Sequence, residues 1–306
     1  MAVNRDSNVY TIIFATIMVV IVGGLLAFIS MGLKPLQNAN VTNEKMQNIL
    51  QAIGIEETDG VSRKDAGKMF NEFIKRRVTI NYNGEIVSDK TAEDAIDPTD
   101  KLDAFNINLR KEYSRYVKPI MNTYKGDDAK IQEALGNSSD IHFPIFICEH
   151  NGSKYYVVAA SGKGLWDDVW GYLCLKLEGM KIHGSVFDHK GETPGLGSKI
   201  TEDWFQDQFV EKTIEENGEY APIKVKKPGN ELNEHQVDGI SGATFTGVGV
   251  EEMLKRNLNV YYRFFKNNPE FSAVNVEEPV IEEILNDSTM MNENDSLIVE
   301  SVVDSI

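Results

Sequence analysis

Cysteine is scarce in this chain of 306 residues: only Cys148 and Cys174 occur. Neither sits in a C-x-x-C or Cys/His spacing, which excludes a zinc site or an iron–sulfur cluster built from sequence-local ligands, so any redox chemistry needs a borrowed cofactor. Both fall in apolar runs and read as buried free thiols, with a mutual disulfide open if the domain is extracytoplasmic. Basic residues are also short, 31 against 47 acidic, for a net charge of −16. That field repels polyanions and excludes nucleic acid as a partner. Strand–helix–strand alternation is missing too, which disfavours a doubly wound dinucleotide-binding domain and direct NADH binding. His183 and His189 have no carboxylate or cysteine at ligand spacing and read as surface histidines. From Glu270 onward there are ten acidic residues and no Lys or Arg. This composition predicts a solvated tail, with the apolar stretches Val280–Leu285 and Leu297–Val303 leaving a docking segment as the alternative.

What is present begins with a run free of charge from Val9 to Leu33. As a helix it reaches about 37 Å, enough to cross a bilayer with some tilt. It is too long for a signal-peptide core and no A-x-A-like cleavage site follows it, so it is expected to persist as a membrane anchor. Arg5 on one side and Lys34 and Lys45 on the other leave the positive-inside count tied. With 42% hydrophobic residues the remainder can build one large domain or two small ones.

After Pro35, the spacing of Met46, Ile49, Leu50 and Ile53 predicts a separate helix stopped by Gly54. A second helix is expected with Ser62 as N-cap, Asp65 in its first turn, and Met69, Phe70, Phe73 and Ile74 on its buried face. A β-rich run Val78–Tyr82 then meets the turn signal Asn83-Gly84, and a helix is expected near Leu109–Val117. Ile145–Cys148 and Tyr155–Ala159 flank Asn151-Gly152, a hairpin signal that makes the sheet antiparallel. Tyr172–Leu177 and Lys181–Phe187 extend it, and Thr201–Val210 reads as a helix packing Trp204, Phe205 and Phe209. The fold class is α+β: one transmembrane helix, then a soluble domain with an antiparallel sheet flanked by helices. The expected divisions are an anchor at 1–35, an N-terminal part of the soluble domain at 36–140, a cofactor-binding domain at 141–266, and the acidic tail at 267–306.

The most informative stretch runs Asp238-Gly239-Ile240-Ser241-Gly242-Ala243-Thr244-Phe245-Thr246, followed by Gly247-Val248-Gly249. Val250, Met253, Leu254, Leu258, Tyr261 and Phe265 continue with helical spacing, so a small-residue loop runs into a helix with Thr246 near its N-cap. Free N–H groups of Gly247, Val248 and Gly249 and the positive helix end would suit a phosphate there. As a bare pattern, a threonine that simply caps a helix is an equal reading.

The pattern D-x-x-S-G-A-T-x-T resembles the flavinylation motif of FMN-binding domains modified by a flavin transferase. The resemblance implies FMN esterified through its phosphate to Thr246, with Ser241, Gly242, Ala243, Thr244 and Gly247 around it and Asp238 read by the transferase. Gly162-Lys163-Gly164-Leu165-Trp166 and His189-Lys190-Gly191-Glu192-Thr193-Pro194-Gly195-Leu196-Gly197 are similar to elements of one branch, the C subunits of sodium-translocating NADH:quinone oxidoreductases. Trp166 and Leu196 could cover the flavin ring, and Thr193 and Gly197 could hydrogen-bond its polar edge; Glu192 could position a donor or cap a turn. Core packing explains Trp166 equally well. The resemblance implies a single-pass protein of a bacterial inner membrane with its domain on the periplasmic side. Its partners would be the other subunits of the complex, and it would relay electrons from NADH toward ubiquinone or menaquinone without complete activity alone. The alternatives are the G subunit of the related ferredoxin:NAD oxidoreductase and a flavin-free, membrane-tethered interaction module.

Overall fold

The computed structural model describes residues 7–55, 63, 65–150, 152–229 and 231–271, all within one compact unit. The expected tail is described only as far as Phe271, and its two apolar stretches lie outside the described residues. Helix α1 spans Asn8–Ala52. It is one 45-residue helix with Pro35 inside it, where the sequence suggested an anchor and a separate helix. An interior proline removes one helical hydrogen bond at a cost of about 3 kcal/mol, and because the residues on either side of Pro35, from Thr11 to Thr42, are exposed, no packed neighbour is displaced. The helix is long and apolar enough to cross a membrane, and its most apolar stretch is not buried by any of the described residues. At 1.5 Å per residue its 45 residues reach about 67 Å, roughly twice a hydrocarbon core, so the second half forms a stalk. That stalk ends in the domain core through Met46, Ile49, Leu50 and Ala52, and Gly54, at φ +89°, supplies the expected stop.

Helix α2 (Ala66–Phe73) starts with Asp65 as its N-cap residue, which makes no side-chain cap bond; Ser62 is outside the described residues. Strand β1 (Ile74–Asn81) turns through Asn83-Gly84 into β2 (Ile86–Thr91), antiparallel as expected. The helix expected near Leu109–Val117 forms and runs on without interruption as α3 (Leu109–Glu112), a π-helical turn at Tyr113–Val117, and α4 (Lys118–Thr123). A further helix, α5 (Asp128–Gly136), has Asp127 as a side-chain cap and was not legible in its polar sequence.

Strands β3 (His142–His150), β4 (Ser153–Lys163), β5 (Asp168–Lys176) and β6 (Lys181–His189) complete a six-stranded antiparallel sheet in the order β2-β1-β3-β4-β5-β6. The division expected at residue 140 runs through this sheet, because β1 pairs with β3. Where a helix was expected over Thr201–Val210, only α6 (Asp203–Gln206) forms, followed by a 3-10 turn. Phe205 and Phe209 are buried, but Trp204 is 45% exposed. The pairs β7 (Glu215–Glu216) with β8 (Glu219–Tyr220), and β9 (Lys224–Lys226) with β10 (Gln236–Asp238), are small; the second is parallel.

Helix α7 (Thr244–Asn267) crosses the sheet face opposite α1. Its predicted stripe of Val250, Met253, Leu254, Leu258, Tyr261 and Phe265 is wholly buried. Two glycines let it approach: a Cβ on Gly162 would meet Met253 Cβ at 2.8 Å, and one on Gly249 would run into the Lys163 carbonyl oxygen. That contact sets the N-terminal turn of α7 beside the loop that follows β4.

Cys148 and Cys174 are buried free thiols. Burial pushes Cys148 up to about 12 and Cys174 well above the usual thiol range. Both histidines are half-buried at the surface and each has a partner. His183 stacks on Tyr155 with centroids 4.6 Å apart, and His189 Nδ1 accepts the backbone N–H of Glu192 at 3.2 Å.

Candidate functional site

The motif loop enters α7 with Ala243 as the N-cap residue and no side-chain cap bond. Thr246 is therefore the third residue of the helix, not its cap, and Thr244 is the first. Gly247 N–H already donates to the Ala243 carbonyl at 3.0 Å. The N–H groups without helical acceptors are thus those of Thr244, Phe245 and Thr246, one turn earlier than the sequence suggested. The site still lies in the first turn, where the helix field favours an anion.

Thr246 is 1% exposed, and its hydroxyl donates to Glu192 Oε2 at 2.6 Å. Glu192 is itself buried. Its other oxygen, Oε1, accepts the Trp166 backbone N–H at 2.9 Å. Trp166 Nε1 donates to Thr193 Oγ1 at 3.1 Å, and the Thr193 carbonyl accepts from Leu196 and Ser198 to close the turn. Three segments far apart in sequence meet here: the loop after β4, the loop after β6, and the first turn of α7.

Small residues make the meeting possible. A Cβ on Gly197 would lie 2.6 Å from both Glu192 Oε2 and Thr246 Oγ1, and one on Gly164 would lie 2.5 Å from Glu192 Oε1. Gly242, at φ +80°, faces Leu196 Cδ2, which its Cβ would approach to 3.1 Å. The loop carrying Leu196 thus rests on the motif loop.

Among the expected residues, Trp166, Glu192, Thr193, Gly197 and Thr246 come together directly, and Leu196 meets Gly242. Core packing does not explain Trp166, which is 64% exposed; Leu196 is 41% exposed. Ser241 and Thr244 are exposed, whereas Ala243 and Gly247 are buried. Gly247 faces Val225, whose Cγ1 a Cβ would approach to 3.1 Å. Asp238 stands apart: its N–H donates to Gln208 Oε1 at 2.7 Å and its carbonyl accepts from Gln208 Nε2 at 3.2 Å, while its Oδ1 is buried with no hydrogen-bond partner among the described residues.

The sequence reading missed several participants. Phe245 is 72% and Val248 50% exposed, so apolar surface adjoins the motif on the helix as well as at Trp166 and Leu196. A cavity of about 360 Å³ between the motif and β9 is lined by Lys226, Lys227, Ser241, Gly242 and Thr244. The two lysines sit some twenty residues from Thr246, and no local pattern links them to it. Among the described residues no group of three or more His, Cys, Asp or Glu side chains could hold a metal ion.

Residues 164–259 match the FMN-binding domain family. Over 254 residues the chain is 29% identical to the C subunit of the Na(+)-translocating NADH-quinone reductase of Vibrio campbellii, covering 82% of this chain and 90% of that one. It is 28% identical over 254 residues to the corresponding C subunit of Neisseria meningitidis serogroup B, covering 81% and 88%. The crystal structure of the C subunit from Parabacteroides distasonis superposes with a TM-score of 0.59 at 31% identity, over 76% of this chain and 96% of that one. NqrC of Shewanella oneidensis shares the fold, with a TM-score of 0.54 at 24% identity over 74% of this chain and 98% of that one. The anchor helix, the antiparallel sheet and the site joined through Thr246 and Glu192 thus occur in a chain that belongs to the family of Na(+)-translocating NADH-quinone reductase C subunits.

Proposed function

We propose that Thr246 carries FMN through a phosphoester on its Oγ, and that the chain is the flavin-bearing electron-transfer subunit of a sodium-translocating NADH:quinone reductase. It takes electrons that originate from NADH in partner subunits and passes them toward ubiquinone or menaquinone. Helix α1 holds it to a bacterial inner membrane, with the domain on the periplasmic side. The observation that supports this reading best is the convergence of three separate segments on one hydroxyl, that of Thr246.

The residues present fit the group. A phosphodiester on Thr246 would lie in the first turn of a 24-residue helix, beside N–H groups that have no helical acceptor. The exposed faces of Trp166, Leu196, Phe245 and Val248 offer apolar surface for the ring. Bound FMN supplies the redox chemistry, accepting and releasing electrons, while the side chains bind and orient it. A covalent link at the phosphate leaves the ring unaltered and prevents its loss between docked partners. Because Thr246 is buried under the loop from Thr193 to Gly197, that loop yields when a flavin transferase reaches the hydroxyl.

Expression with the transferase, followed by in-gel fluorescence after denaturation and peptide mass spectrometry, tests the assignment. The expected result is one flavin adduct on Thr246, and a folded but colourless Thr246→Ala protein. An adduct on Ser241 or Thr244, or no adduct at all, overturns it; the last outcome would favour a flavin-free tether.

A further inference from the structure

The hydrogen bond from Thr246 to Glu192 exists only while the hydroxyl carries its hydrogen. Once Oγ is esterified it has nothing to donate, and Glu192 Oε2 loses that partner. A contact present only before modification cannot serve the finished flavoprotein in electron transfer, but it is suited to the modification itself. Resting on the reading that Thr246 is the acceptor, we propose that Glu192 positions the Thr246 hydroxyl and takes its proton during flavinylation.

The geometry meets what a base requires. The two oxygens are 2.6 Å apart, within the 2.6–3.2 Å reach of a general base. The carboxylate is fixed from its far side by the Trp166 N–H on Oε1, and its backbone is held by His189 Nδ1. Glycines at 164 and 197 leave no room for a side chain to displace it. No cation is ion-paired with Glu192 among the described residues; nearby Lys190 pairs with Asp167 at 2.9 Å, so the carboxylate has the hydroxyl as its side-chain partner.

Esterifying a threonine with a free phosphate is a dehydration, unfavourable in water, so the donor must be a flavin nucleotide phosphoanhydride. Thr246 Oγ bonds to the flavin-side phosphorus as the anhydride P–O bond breaks. The electron pair of that bond leaves with the other nucleoside monophosphate. The hydroxyl proton passes to Glu192 Oε2 and from there to solvent. Nothing is oxidised or reduced.

The test uses the full-length chain in detergent, purified flavin transferase and flavin adenine dinucleotide as the donor. The rate of covalent labelling is followed from about pH 6 to pH 9. Glu192→Gln is expected to fold and melt like wild type yet label on the order of 100-fold more slowly, with a rate that climbs with pH as hydroxide replaces the lost base. Gly197→Ala, which wedges a methyl between the two oxygens without altering either, is expected to slow labelling as well. If Glu192→Gln fails to fold, Glu192→Asp keeps the charge but withdraws it by a methylene, and should label slowly with the wild-type pH profile. Wild-type labelling at Thr246 with Glu192→Gln, or with a folded Glu192→Asp, equally fast at every pH would overturn the role of Glu192 alone. Wild-type labelling at another hydroxyl would overturn the acceptor assignment and this role together.

Discussion

Gly249 presses against the carbonyl oxygen of Lys163, leaving no space for a Cβ. Gly249 lies one turn into α7 and Lys163 ends β4, so this one contact fixes the helix start against the loop that carries Trp166.

Gly249→Ala should therefore perturb the site from outside it. The obstacle is backbone, which cannot rotate away, and overpacking of this kind costs about 1–3 kcal/mol. A lower melting temperature, accompanied by reduced flavin incorporation at Thr246, is the expected outcome. An unchanged melting temperature would show that α7 can slide without penalty.

Truncation distinguishes where the folded domain ends. Phe271 is buried against Phe264 and Phe265, and its carbonyl accepts the Tyr156 hydroxyl. The division expected at residue 267 thus falls short of the core. Cutting after Asn268 should destabilise the protein by roughly 3–5 kcal/mol, the scale of losing a buried phenylalanine. Cutting after Ser272 should leave stability and flavin incorporation near wild type. Denaturant titration of the two truncations makes the comparison, and equal midpoints would remove Phe271 from the core.

Lys45, at the foot of the stalk, gives a pH signature. Burial lowers it to about 8, with Asp103 opposing, while Nζ donates to the Phe105 and Ile107 carbonyls at 2.5 and 3.0 Å. The folded value lies below the ordinary 10.5, so between about pH 8 and 10.5 the unfolded chain holds more protons, and stability attributable to Lys45 rises with pH. Relative to Lys45→Met, the wild type should gain on the order of 3 kcal/mol across that window at most. A constant difference in unfolding free energy from pH 7 to 10 would contradict it.

Arg77 and Asp103 form a buried pair at 2.9 Å, and Arg77 also donates to the Asp94 carbonyl. This pair ties the segment from Ala92 to Asn108, which has no regular structure, onto β1. Asp103→Ala should cost about 3–5 kcal/mol by stranding the guanidinium. Asp103→Asn, which keeps the shape and one acceptor, should lose less. Thermal melting of both variants measures the gap.

Much of this architecture was legible in sequence because it depends on local signals. The uncharged run from Val9, the turn residues Asn83-Gly84 and Asn151-Gly152, and the 3.6-residue stripe from Val250 to Phe265 each fix an element through near neighbours. The motif from Asp238 to Thr246 was equally legible as a small-residue loop entering a helix, but it pointed to the Thr246 hydroxyl only through its resemblance to the flavinylation motif. Other features were not legible. Pro35 looked like a break because the sequence does not show that the surrounding helix is exposed and can absorb it. Trp204 looked like core because an apolar stripe does not reveal where a short helix stops. Lys226 and Lys227 carry no local pattern that ties them to Thr246.

Local patterning was enough for the long apolar helix, the antiparallel class and the position of the motif loop, since all three rest on residues within a turn or a strand of one another. Three-dimensional packing was needed to bring Glu192 to Thr246, to brace that carboxylate with Trp166, and to set the hydroxyl in the first turn of the helix beneath a loop. Those relations span 54 and 26 residues. They are set by how closely glycines 164, 197 and 249 let three backbones approach, and packing distance between remote segments is a quantity that no local pattern encodes.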